Sequence, residues 1–203
     1  MQIADNSPGD KIDEYKKSTS FFPSSDTRRF FFNQEARSET AALIEAIDDF
    51  SEGRYTEAIG VFQELASENN SLAIYHLSQA YRNGQGVTQN DEVAFELLEK
   101  SALLDLPEAQ FDLAHEYVLG EGTEQNLDKA IEWHNRAIDL NHAPSRTELG
   151  RLYMSFPANL RSYDKAHRLL ITAAEDGDGS AMYHLGSLLR NKEAKPYYDP
   201  VKA

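Results

Sequence analysis

Residues 109–137 read AQFDLAHEYVLGEGTEQNLDKAIEWHNRA. The stretch opens with apolar and small residues at helical steps of three and four: Phe111, Leu113, Ala114, Tyr117, Val118. It breaks at Gly120-Glu121-Gly122 and resumes a second helical pattern through Ala130, Trp133, Ala137 and Ile138. Helix spacing, a glycine pair and helix spacing again predict two helices joined by a turn.

Working outward, the same pattern recurs every 36 residues. Ala58, Ala94, Ala130 and Ala166 stand in one register, with Ala203 following at 37. Ala73, Ala109, Ser145 and Ala181 form a second register, and Leu77, Leu113, Leu149 and Leu185 follow four residues after it. The next position is always small (Ser78, Ala114, Gly150, Gly186), and three further on come Tyr81, Tyr117, Tyr153 and Leu189. Self-similarity at this period marks a stacked helical array. Ala94, Leu97, Leu98, Ser101 and Ala102 give the second helix its apolar face, as do Ala166, Leu169, Leu170, Ala173 and Ala174 one unit pair later. Small residues in both helices let the axes approach closely.

Punctuation shares the register. Asn90, Asn126 and Ser162 precede the second helix, where a short side-chain oxygen accepts from the free amides of the first turn. Asp91, Asp128 and Asp164 follow in that turn, where the helix dipole favours negative charge. Near the end, Asp199-Pro200 reads as N-cap and first helical residue.

These residues resemble the Sel-one-like repeat (SLR), a relative of the tetratricopeptide repeat. The resemblance covers residues 40–203, about four and a half units. It implies an all-α fold, a right-handed α-solenoid of antiparallel helix pairs. The units run about 40–72, 73–108, 109–144 and 145–180, with a partial one at 181–203. Two departures from the pattern stand out. Phe156-Pro157-Ala158 replaces the glycine pair, and Ser51-Glu52-Gly53-Arg54-Tyr55 makes a shorter first turn. The resemblance also implies an adaptor or scaffold role, in which the concave face holds a protein or peptide. A bacterial source is implied too, with signalling, envelope or assembly as the setting.

Residues 1–38 lie outside the repeat and are expected to form an irregular arm. Five phenylalanines (Phe21, Phe22, Phe30, Phe31, Phe32) argue against simple disorder, which is poor in aromatics. They are expected to cap the first helix pair. A second reading lays Phe21-Phe22-Pro23 in the groove as a ligand mimic, and a third makes the arm a mobile partner-binding motif. At the other end the chain stops at Ala203, three residues into a helix. The array is therefore read as cut short, or else covered by a second copy.

The 203 residues carry 20 basic and 34 acidic side chains, a net charge of −14. Residues 1–38 are balanced, so the whole excess lies on the repeats. Nonspecific binding to phosphate backbones or anionic lipid needs a basic surface and is disfavoured. With no cysteine, thiolate catalysis and disulfides are excluded. Neither a membrane-length apolar run nor a signal peptide is visible. The reading leans to the bacterial periplasm with the signal removed, the cytoplasm being the alternative.

Chemistry is sparse. Ser162-Tyr163-Asp164-Lys165 matches the S-x-x-K of penicillin-binding enzymes, but Ser162 sits in the cap register and no companion motif follows. The six histidines (His76, His115, His134, His142, His167, His184) form no metal-ligand spacing. No catalytic residue, cofactor or metal is therefore assigned, and Trp133 is assigned to the core.

In helix-pair solenoids the first helix of each unit lines the inner surface. Register arithmetic assigns Tyr75, Gln79, Arg82 and Asn83 to that face, then Phe111, His115, Val118 and Leu119. Thr147, Arg151, Met154 and Ser155 follow, then Tyr183, Ser187, Arg190 and Asn191. The set holds three arginines and no acid, which suits a partner bearing an acidic or C-terminal carboxylate. The competing reading is that the arginines only offset acidic neighbours. Other classes considered are a self-associating spacer, forming a homo-oligomer through its open C-terminal end, and a hydrolase of S-x-x-K type.

Overall fold

The computed structural model describes residues 25–194 and 197, with side chains from position 38 onward. Among these residues lie nine helices and no strand. They are α1 (Ser25–Ser51), α2 (Tyr55–Ser67), α3 (Ser71–Asn83), α4 (Asp91–Leu103) and α5 (Pro107–Leu119). Then come α6 (Leu127–Asp139), α7 (Ala143–Ser155), α8 (Tyr163–Glu175) and α9 (Gly179–Arg190). Helix starts at 55, 91, 127 and 163, and at 71, 107, 143 and 179, reproduce the 36-residue period. Each helix packs on its chain neighbours, so the protein is an all-α helical-repeat solenoid.

Burial follows the registers. Ala58, Ala94, Ala130 and Ala166 are fully buried, as are Ala73, Ala109, Ser145 and Ala181. At Gly150 the reason for a small residue is steric, since a Cβ there would lie 2.8 Å from Leu170 Cγ. Trp133 is buried, with the Arg136 guanidinium 4.4 Å over its ring.

The caps are as expected. Asn90, Asn126 and Ser162 accept from the amides of Val93, Lys129 and Lys165. The loops ahead of them close with one repeated bond. The amide of Asn90 donates to Tyr81 O, Asn126 to Tyr117 O and Ser162 to Tyr153 O, at 2.8–3.0 Å. The third loop does this without the glycine pair. There Phe156 is buried, edge-on to Tyr153 at 5.7 Å, and its carbonyl accepts from Arg161 Nε.

Between units a different joint repeats. Asn69, Asp105 and Asn141 adopt φ of 62°, 58° and 64°, and Gly177 adopts 93°. Asn and Asp tolerate this left-handed region better than other side chains do. Each joint ends a second helix and turns the chain into the next first helix.

The structure corrects the start of the array. α1 begins at Ser25, so residues 25–38 are helical rather than irregular, and this helix is 27 residues against 13 for most others. The first helices also begin at 71, 107, 143 and 179, two residues before the assigned unit boundaries. Phe21-Phe22-Pro23, Asp199-Pro200 and the partial fifth helix lie outside the described residues, as do the side chains of Phe30, Phe31 and Phe32.

Candidate partner-binding face

The residues assigned to the inner face stand on α3, α5, α7 and α9 or at their C-terminal ends, and many are spent on joining units. Tyr75 Oη donates to Asp112 Oδ2 at 2.8 Å, and Gln79 Nε2 donates to the same oxygen at 3.2 Å. Arg82 pairs with Glu116. These bonds tie α3 to α5. Thr147 is buried and donates to Asp178 Oδ2 at 2.6 Å, tying α7 to the cap of α9. Val118 and Met154 pack into the apolar clusters on either side of their helices.

The acid missing from the assigned positions comes from their neighbours. Glu116 is only 5% exposed, and burial pushes its carboxyl up while the Arg82 bond opposes the rise. Burial also works to raise Glu148, but two hydrogen bonds and the charge of Arg151 outweigh it and hold that carboxyl below its ordinary value. Two of the three arginines are therefore engaged. Arg190 is exposed and makes no ion pair among the described residues. Burial, with Asp112 beside it, drives the Tyr75 hydroxyl well above its ordinary pKa, so it stays a donor.

What is left for a partner is narrower than the assigned set. Asn83, Leu119, Ser155, Tyr183 and Arg190 are exposed, with Leu119 at 60% and Tyr183 at 66%. Met182 is exposed beside Tyr183. Phe111, His115 and Ser187 are half-buried. Arg82, Asp91, Glu116, Glu121 and Gly122 line a pocket of about 260 Å³. That is below the roughly 300–1,000 Å³ of small-molecule sites and suits a single side chain.

One cluster escaped the sequence reading. His115, His134 and His142 gather around Phe111, with ring centroids 4.8, 5.6 and 5.3 Å from it. The signal was available. Positions 62, 98, 134 and 170 are Phe, Leu, His and Leu, so His134 stands where its counterparts are apolar. Among the described residues no group of three His, Asp or Glu side chains is placed to hold a metal. Ser162 Oγ serves as the α8 cap, and Lys165 Nζ lies 5.0 Å over the Tyr153 ring, as Lys129 Nζ lies 4.8 Å over Tyr117. The S-x-x-K match is thus part of the repeat.

Comparison with known proteins agrees with this geometry. The sequence model of one family, the Sel1 repeat, matches residues 71–106, 107–142 and 143–178. These are the α3–α4, α5–α6 and α7–α8 pairs with the joints that follow them. A crystal structure of a Sel1 repeat protein from Oxalobacter formigenes superposes with a TM-score of 0.66 at 26% identity, over 77% of this chain and 68% of that one. An SLR-fold protective antigen of uropathogenic Escherichia coli gives a TM-score of 0.68 at 27% identity, over 78% of this chain and 35% of the antigen. An uncharacterized protein of Neisseria meningitidis serogroup B is 28% identical over 132 residues, 65% of this chain. The match spans only 27% of the length of that curated relative.

Proposed function

Since the chain belongs to the Sel1 repeat family, whose fold generally serves as a scaffold for protein–protein contact, we propose that it is an adaptor holding a protein or peptide against the aligned first helices. The observation that carries the reading is the exposed row Asn83, Leu119, Ser155, Tyr183 and Arg190, set on a frame already locked by Tyr75, Arg82 and Thr147. A pre-organised frame lowers the ordering cost of binding, and exposed aromatic and arginine side chains are the usual anchors.

The partner's carboxylate, if it brings one, is received at Arg190, because Glu116 and Glu148 occupy Arg82 and Arg151. Photo-crosslinking tests the face directly. A benzophenone amino acid placed at Leu119 or Tyr183 captures the partner from the source organism, while the same group at Glu96 or Glu132, exposed on second helices, does not. Equal capture from both sets of positions overturns the reading. Self-association is the second reading, favoured by Met182 and Tyr183 exposed on α9. Sedimentation velocity of the wild type and of Tyr183→Ser distinguishes it.

A further inference from the structure

Positions 62, 98, 134 and 170 point into the core of successive units, and all four residues are fully buried. Phe62, Leu98 and Leu170 meet that environment with carbon alone, whereas His134 brings two ring nitrogens. Neither finds a hydrogen-bond partner, and His115 Nε2 has none either, although it lies 3.7 Å from Glu148 Oε1. Native interiors seldom leave polar atoms unpaired, and such atoms mark a strained or switching site.

The ionisable groups facing His134 come from α5, from α7 and from the joint that leads out of α6 into α7. α5 contributes His115, whose ring lies 5.8 Å away, and the α7 N-cap contributes His142. From α7 itself come Glu148 and Arg151. Among these groups only Glu148 favours a proton on His134, and it is already bonded to Arg151 with His115 Nε2 3.7 Å away. No carboxylate is therefore free to hold an imidazolium at this place.

We propose that the packing of α7 on α5 and α6 is an acid-sensitive switch, in which proton uptake by His134 opens the junction and divides the partner face between His115 and Arg151. The opening itself stands on the cluster alone. Its consequence for binding rests on the adaptor reading.

Burial, with His115 beside it, pushes the His134 pKa down to about 4 from 6.5. Below pH 6.5 the open junction takes a proton that the closed one refuses, so opening is favoured as pH falls towards 4. Above 6.5 both states are neutral and the packing is at full strength. The equilibrium moves by up to tenfold per pH unit inside the window, about 30-fold by pH 5 and roughly 160-fold by pH 4.

Amide hydrogen exchange on the full chain at pH 7 and pH 5, corrected for the intrinsic rate, tests the switch without a partner. Protection in α6 and α7 is expected to fall about 20-fold between pH 7 and pH 5 while α4, which carries no histidine, changes far less. His134→Leu restores the residue of the equivalent positions 98 and 170 and is expected to abolish the difference. His142→Asn, which places the cap residue of position 70, is expected to retain it. An acid response that is uniform along the chain, or that persists in His134→Leu, overturns the proposal. NMR titration of the wild-type imidazoles is independent of any variant's folding. A His134 pKa at or above 6.5 overturns the proposal, and a value near 4 sustains it. None of these readouts depends on crosslinking, so the switch and the adaptor reading fail separately.

Discussion

Tyr75 and Asp112 lie 37 residues apart, and the tyrosine hydroxyl donates to the aspartate carboxylate at 2.8 Å. The bond joins the first helices of two successive units on the side where a partner is proposed to lie. It makes Tyr75 a structural residue first. Tyr75→Phe is expected to lower stability by about 1 kcal/mol in urea titration. Asp112→Asn costs a similar amount, and the double variant costs less than the two singles together because they break one shared interaction.

Arg82 and Arg190 occupy equivalent positions but are expected to respond differently. Removing Arg82 leaves Glu116 buried without its cation, so Arg82→Ala destabilises by about 2 kcal/mol. Arg190→Ala changes stability by less than about 0.5 kcal/mol, the usual range for an exposed site. Any loss of partner binding in Arg190→Ala is then a contact effect, readable by calorimetric titration at unchanged melting temperature.

Gly86 has φ of 75°, and a Cβ there would stand 2.7 Å from Tyr55 Cβ. Gly53 has φ of 85° but open space around it. Gly53→Ala should cost only the left-handed backbone penalty, about 1 kcal/mol. Gly86→Ala adds a steric clash between the loop and α2, for a total of about 2–3 kcal/mol. Equal losses in the two variants would mean that the loop does not bear on Tyr55.

Ser162 Oγ caps α8. Ser162→Ala is expected to cost about 1 kcal/mol, as Asn90→Ala and Asn126→Ala do, and fluorescent penicillin is expected to leave the wild type unlabelled. Covalent labelling that disappears in Ser162→Ala would reverse that assignment.

The architecture was legible because it is written in residues that cannot be exchanged freely. Ala58, Ala94, Ala130 and Ala166 sit where helices touch, and Asn90, Asn126 and Ser162 sit where amides need an acceptor. The extent of α1 was harder to read. Its residues 25–38 show no apolar period and lie outside the repeat, so the pattern carried no sign of a helix there. The inner face was legible as a set of positions but not as a set of free side chains. Arg82 and Arg151 looked available because Glu116 and Glu148 sit one or more register positions away, and only the stacking of first helices and the i,i+3 turn bring them together. The histidine cluster was missed for a related reason. His115, His134 and His142 belong to three different register positions, and only the deviation of His134 from its apolar counterparts betrays it.

The joints at Asn69, Asp105, Asn141 and Gly177 all turn through a residue of positive φ. A chain assembled by repeating the same small rotation behaves as a lever. A few degrees of change at Asn69 sweep every later helix through an arc, and the displacement grows with distance along the stack. The same change at Gly177 moves α9 alone among the helices described. The reach of the molecule, and the curvature it offers to anything laid along it, is thus set most strongly by its earliest joint.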